Sequence, residues 1–287
     1  MKKYISPLLV LLGCSCGGVM GLFSGNLLAA GLDPQDLVLI RNLGSLICLT
    51  VFFLLFDRSI FRIELRHLPY FFGSGVVGIL MFTLLYFSCQ QHCSISLAAI
   101  LLYTSPAFVI LISRVLFRDP ITKRKLAALV LALLGAAFAS GLLSGQLSGT
   151  PKGILLGLIG GFFYSFYTIF SSMGLKHYKP LTVTYYTFVF AGLGSLLMTD
   201  ALQVTSLLTT DRKLVLFAFG MVLISTVLSY ILYVTGLAGV DSGKASILGC
   251  IEPVVAAFTG IIAFGEPITL GVVLGLGCIL GCVYILR

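Results

Sequence analysis

LYFSCQQHCSISLAAILLYTSPAFVILISRVLFRDPIT, residues 85–122, returns as LYVTGLAGVDSGKASILGCIEPVVAAFTGIIAFGEPIT, residues 232–269, without a gap and at a constant offset of 147. Leu85-Tyr86 falls on Leu232-Tyr233, Pro106 on Pro253, and Pro120-Ile121-Thr122 on Pro267-Ile268-Thr269. Outside the repeat the chain is just as apolar: 59% of its 287 residues are hydrophobic and 10% charged. A soluble domain carries about 25% charged residues, so the solvent for this surface is lipid. A membrane protein made of two copies of one unit, with prolines interrupting helices at equivalent places, points to a secondary transporter with its binding site between the copies.

Apolar stretches long enough to cross a bilayer core, about 20 residues, are drawn near 5–30, 36–56, 68–88, 95–116 and 124–143. A second set lies near 152–174, 181–199, 214–237, 244–264 and 268–286. The expectation is an all-α integral membrane protein with ten transmembrane helices, in two five-helix repeats (1–145 and 146–287) around a central cavity. The loops are short, the longest polar interval being about 200–213. Because five is odd, the second repeat runs through the membrane inverted relative to the first.

The net charge of +8 reflects topology rather than nucleic-acid binding. Thirteen of the 18 Lys and Arg residues fall on one side of the expected spans: Lys2, Lys3, Arg58, Arg62, Arg66, Arg118, Lys123, Arg124, Lys125, Lys176, Lys179, Lys244 and Arg287. Only Lys152, Arg212 and Lys213 fall on the other, and Arg41 and Arg114 lie inside spans. The positive-inside rule then puts both termini in the cytoplasm, with the chain in the inner (plasma) membrane. Met1-Lys2-Lys3 and Leu11-Leu12-Gly13-Cys14 imitate a secretory leader, but the apolar run continues to about Ala30 and reads as a span.

Within the spans, polar chemistry is sparse. Glu252 is the only acidic residue deep in one; about nine residues from the cytoplasmic end at 1.5 Å each sets it roughly 13 Å in, near the bilayer centre. Such a residue is costly and should face the bundle interior. It is a candidate for solute or proton contact, the alternative being a carboxyl that braces the adjacent proline. Pro106 and Pro253 each remove a backbone donor and crowd the carbonyl four residues earlier, at Leu102 and Gly249, and are candidate hinges beside a cavity. Tyr86 and its repeat partner Tyr233, with Ser229, Tyr103, Tyr164 and Tyr167, are candidate lining residues; a core or interfacial belt is the plainer role for such tyrosines. Arg41 and Arg114 can snorkel to the interface, and Arg41 is in addition a candidate anion contact. Glycines at 13, 17, 21 and 25, and at 153, 157 and 161 followed by Ser165, read as close-packing stripes.

Cysteine and histidine offer little. Cys89, His92 and Cys93 stand together at a loop without a partner motif, so neither a metal site nor a disulfide is assigned there. His67, His92 and His177 all fall at loops, which leaves no buried nucleophile–base pair for an intramembrane enzyme. No P-loop is present to bind ATP, and no cofactor is expected.

Taken together, Ser94–Ala99 leading to Ser105-Pro106 and Arg118-Asp119-Pro120-Ile121-Thr122, with Ala245–Leu248 leading to Glu252-Pro253 and Gly265-Glu266-Pro267-Ile268-Thr269, resemble the EamA-type ten-span members of the drug/metabolite transporter (DMT) superfamily. Leu32-Asp33-Pro34 followed by Arg41 is similar to that family's entry into span two. Asp119 replaces the usual Glu, Ser105 stands opposite Glu252, and the family's first-span Trp is missing. The resemblance implies a basket of spans one, three, four, six, eight and nine around a cavity, with five and ten at the side. It also implies a permease, since family members move amino acids, other metabolites, drugs, nucleotide-sugars or lipid-linked sugars, many of them outward.

The expected function is therefore a multi-pass carrier of a small organic metabolite, an amino acid or similar, working by alternating access. It would be an exporter or exchanger, with proton coupling through Glu252 one option. The rivals are a lipid or lipid-linked-sugar flippase on the same fold and a non-transporting membrane sensor or assembly component. The expected partners are the solute and the bilayer, with a homodimer left open.

Overall fold

The computed structural model describes residues 2–145 and 147–286. Arg287, counted above as a cytoplasmic charge, and the side chains of Lys2, Lys3, Ile95 and Ser96 lie outside the described residues. The fold is helical throughout; the one β feature among the described residues is an isolated bridge between Cys93 and Gly149.

Seven helical segments are long and apolar enough to cross a membrane: Tyr4–Ala29, Pro34–Phe56, Leu65–Gln90, Leu97–Leu116, Pro151–Gly174, Arg212–Leu237 and Ser242–Phe264. The stretches expected at 124–143, 181–199 and 268–286 fold as shorter helices, Lys123–Ala139 (17 residues), Pro180–Ser195 (16) and Leu270–Leu286 (17). At 1.5 Å per residue these cover about 25 Å, a little under the roughly 30 Å hydrocarbon core. The polar interval near 200–213 is not a plain loop, since it contains the short helix Ala201–Thr210, started by Asp200 accepting from Leu202 N and Gln203 N.

In chain order the elements are α1 (Lys2–Gly18), α2 (Met20–Ala29), α3 (Pro34–Phe56), α4 (Leu68–Phe72), α5 (Phe82–Gln90), α6 (Ile95–Leu102), α7 (Ser105–Leu116) and α8 (Lys123–Ala139). The second half holds α9 (Pro151–Gly174), α10 (Pro180–Ser195), α11 (Ala201–Thr210), α12 (Arg212–Gly220), α13 (Ser229–Leu237), α14 (Ser242–Gly249), α15 (Glu252–Phe264) and α16 (Leu270–Leu286). Helix starts follow the side chains available. Thr122 and Thr150 accept from the amides of Lys125 and Gly153, and Asp33 and Asp36 form a capping box ahead of α3 with Pro34 in the first turn. These contacts satisfy donors that a helix start leaves open.

The repeat extends to details of the backbone. Between α4 and α5 the chain winds as a π-helix, Gly73–Met81, and between α12 and α13 it does so again, Met221–Leu228. The offset of 147 carries residues 74–81 onto 221–228. At the end of α7, Arg118 takes φ 59°, and its counterpart at the end of α15, Gly265, takes φ 68°. A left-handed turn is needed at both places, and only the second copy supplies the residue that adopts it freely.

Packing between helices runs through small residues. α8 and α16 pair along Gly271 and Gly275, where an added Cβ would lie 2.7 Å from Phe138 O and 2.9 Å from Gly135 O. α1 meets α13 in the same manner at Gly13, 2.7 Å from Ser229 O. In lipid, where burial from water no longer drives helix association, such close backbone approach supplies the packing energy.

Candidate functional site

The two proline-bearing helices are interrupted rather than kinked. α6 stops at Leu102, residues 103–104 turn, and α7 restarts at Ser105 with Pro106 in its first turn. In the second half α14 stops at Gly249, residues 250–251 turn, and α15 restarts at Glu252 with Pro253 in its first turn. A proline in the first turn gives up a donor that had no partner there in any case, so the break relieves the clash that a continuous helix would suffer at Leu102 and Gly249. Each break is covered by a glycine from another helix. An added Cβ at Gly161 of α9 would lie 3.0 Å from Leu101 O, and one at Gly18 of α1 would lie 2.7 Å from Glu252 O.

Both breaks border a cavity of about 1130 Å³. All ten candidate positions line it: Glu252, Arg41, Ser229, the hinges Pro106 and Pro253, and the tyrosines 86, 103, 164, 167 and 233. From mid-bundle the cavity runs to one end of the molecule, where exposed Leu28, Pro34, Leu143, Ser144, Glu266 and Pro267 form the rim of its mouth.

The Glu252 carboxylate stands beside α1 and α13; a Cβ on Gly17 would lie 3.1 Å from its Oε1 and 3.4 Å from Ser229 Oγ. That carboxylate makes no side-chain hydrogen bond or ion pair with any described residue. It does not brace the proline turn and faces the cavity instead. Arg41 is also unpaired. Its Nε and Nη2 are buried without a partner, and Nη1 reaches only Met20 Sδ at 3.9 Å. Snorkelling to the interface, expected from the sequence, is thus not the role of Arg41, whereas Arg114 is exposed, with Nη1 3.5 Å from Arg118 O.

Tyrosines fill one wall. Tyr167 lies 5.2 Å from Tyr230 and 5.8 Å from Tyr233 between ring centroids, Tyr233 and Thr168 hydroxyls meet at 2.8 Å, and Tyr164 packs 4.6 Å from Phe82. The Tyr167 hydroxyl is buried without a partner. Apolar ring faces, a few hydroxyls, a carboxyl and a guanidinium thus give the chamber a mostly apolar wall with a few polar groups.

Sequence reasoning misses several members of this wall. Tyr230 escapes it, although Tyr230 precedes Tyr233 by three residues, the same spacing as Tyr164 and Tyr167. Gln90, Ser225 and Glu266 also line the cavity. The wall is broader than the family resemblance implied. α3 contributes Leu37, Val38 and Arg41, while α8 and α16, otherwise at the side, contribute Phe138, Ala139, Gly271 and Val272 near the mouth. Cys89 and Cys93 are free, buried thiols; Gly149 and Gly153 pack on the Cys93 sulfur.

The profile of the EamA-like transporter family matches the chain twice, at residues 5–141 and 151–287. Two proteins of Archaeoglobus fulgidus, each named an uncharacterized transporter, are similar along most of its length. One is 27% identical over 228 residues, covering 78% of this chain and 79% of the relative. The other is 30% identical over 214 residues, covering 73% and 75%. A solved crystal structure superposes with a TM-score of 0.79 at 15% identity, over 98% of this chain and 96% of that one, which shows a shared fold.

Proposed function

The chain belongs to the EamA-like transporter family, and on that premise we propose that it carries a small organic metabolite, an amino acid or similar, across the inner membrane by alternating access, as an exporter or exchanger. That it is a multi-pass membrane transporter and not an enzyme follows from the family itself. The finer topology is part of the proposal: ten spans, two inverted five-helix repeats (1–145 and 146–287), and both termini in the cytoplasm by the positive-inside rule. On that topology the cavity mouth faces outward.

The observation that carries the reading is the chamber of about 1130 Å³ holding a carboxyl group and a guanidinium, Glu252 and Arg41, neither of them in an ion pair among the described residues, beside tyrosines at the helix breaks. A buried charge without a partner costs several kcal/mol. An anionic group of the solute next to Arg41, and a cationic group or a proton on Glu252, would offset that cost at the moment of binding. Pro106 and Pro253 then mark the joints about which each half rocks. A homodimer is compatible with this scheme and not required by it.

The test is exchange in proteoliposomes against a library of amino acids and related metabolites, with and without a pH gradient. Saturable exchange that Glu252→Gln abolishes supports the carrier reading. Movement of lipid-linked substrates alone would favour a flippase, and a purified protein that moves nothing while retaining a tight membrane partner would favour an assembly role.

A further inference from the structure

At the end of the bundle opposite the mouth, Lys125 Nζ donates to Asp241 Oδ1 at 2.7 Å. The pair ties the first turn of α8, in the first half, to the residue that starts α14 in the second. Asp241 Oδ1 also accepts from Lys244 N at 2.9 Å, which fixes the carboxylate in place. The Lys125 side chain is only 9% exposed. Other contacts close the same end: Lys176 Nζ lies 4.4 Å over the Phe117 ring, and an added Cβ on Gly236 would lie 2.6 Å from Ser6 O.

The repeat offset carries Asp241 onto Ser94 and Lys125 onto Val272. The caps coincide, since Ser94 accepts from Leu97 N at 3.4 Å and Thr269 from Val272 N at 3.3 Å, as Asp241 and Thr122 do for α14 and α8. The charges do not. One end of a repeated architecture bears a charged clasp, and the equivalent place at the other end bears a hydroxyl and an isopropyl group. The clasped end is shut and the unclasped end is the open mouth.

We propose that the Lys125–Asp241 pair is the latch that holds the inner end of the carrier closed and that it must part in every transport cycle. This rests on the alternating-access reading above. A nearly buried ammonium needs its partner while the end is dry; once water enters as the inner end opens, both ions are rehydrated and can separate. The pair therefore favours the outward-open state selectively, as a contact must do to shift a two-state equilibrium. Asp241→Asn leaves the buried ammonium without an ion pair and with only the more distant Asp119 carboxylate in its surroundings, whereas Lys125→Met strands only a carboxylate already one-third exposed, so the first should unlatch more strongly.

The full-length protein in vesicles, with its eight native cysteines replaced and one cysteine introduced at cavity-lining Ser246, reports the latch through a membrane-impermeant maleimide added from either side. Closed-side labelling should rise at least about five-fold in Asp241→Asn, rise less in Lys125→Met, and return toward the parent in the Lys125→Asp/Asp241→Lys exchange. Asparagine can still start α14, and retained mouth-side labelling certifies the fold. Unchanged closed-side labelling in Asp241→Asn overturns the latch. Ser94→Asp/Val272→Lys, which builds the mirror pair at the mouth, separates the two levels of failure. If it raises closed-side labelling while Asp241→Asn does not, the latch alone is wrong. If neither variant does, alternating access falls with it.

Discussion

The broken helix of the first half, α6–α7, and that of the second, α14–α15, share a backbone plan and differ in what they present. Both restart with a proline in the first turn, both are covered by a glycine from another helix, and both end in a left-handed residue. In the first, Thr104 donates to Leu101 O at 2.6 Å within the turn, and Ser105 at the restart, 3% exposed, brings only a hydroxyl to the cavity. In the second, the residue equivalent to Ser105 is Glu252, whose carboxylate has no partner and faces the cavity. The break is thus an architectural element kept in both copies, and the carboxylate is an addition to one of them. Architecture here is symmetric and chemistry is not.

The strongest way to break this comparison is to exchange the chemistry. Glu252→Gln is expected to lower exchange in proteoliposomes by about ten-fold or more, whereas Ser105→Ala stays within about two-fold, a difference of at least roughly 1 kcal/mol in the transport barrier. Equal losses would show that both restarts serve structure alone. Next in size, Gly18→Leu and Gly161→Leu each force a side chain against the carbonyls of a helix break and should cost about 1–3 kcal/mol by overpacking, read as a lower unfolding temperature in detergent. Gly21→Ala, with nothing within 4 Å of the added Cβ, serves as the control that does not lower stability and, by helix propensity, raises it by up to about 1 kcal/mol. A break that tolerated leucine at Gly18 but not at Gly161 would mean that the two copies differ in architecture too.

The smallest effect sharpens the comparison at the helix ends. Arg118 holds a left-handed conformation that costs a residue with a Cβ about 1–2 kcal/mol. Arg118→Gly is therefore expected to raise stability by about 1 kcal/mol, and Gly265→Ala to lower it by about the same amount. Opposite shifts in the two copies, measured by thermal unfolding, are the expected result, and a loss at Arg118→Gly would show that its side chain contributes more than its backbone costs.

Much of the candidate site is legible in the amino-acid sequence, because its signals are chemically unusual in lipid. A carboxylate at mid-span, prolines at matching points and an arginine within a span are each costly enough to need a reason, and these positions all line one cavity. Tyr230 is within reach of the same spacing argument that applies to Tyr164 and Tyr167. Gln90 and Glu266 are not, since polar residues at helix ends are ordinary and nothing in their sequence surroundings tells a rim from a loop. Nor is the entry of α3 and α16 into the wall, because apolar helices in lipid lack the polar face that reveals which side points inward.

By itself the sequence determined that the chain is a lipid-solvated bundle with a repeated core and broken helices, since composition, offset and proline are local properties with fixed physical consequences. The tertiary structure alone decided where the π-helical stretches fall; in the first of them Gly75 seats against α10 and Gly78 against α9. It also decided that Glu252 and Arg41 stay unpaired. And it decided that Lys125, 116 residues away in the chain, meets Asp241. A cap residue and a first-turn lysine each have an ordinary local role, and only packing of the two halves turns them into a pair.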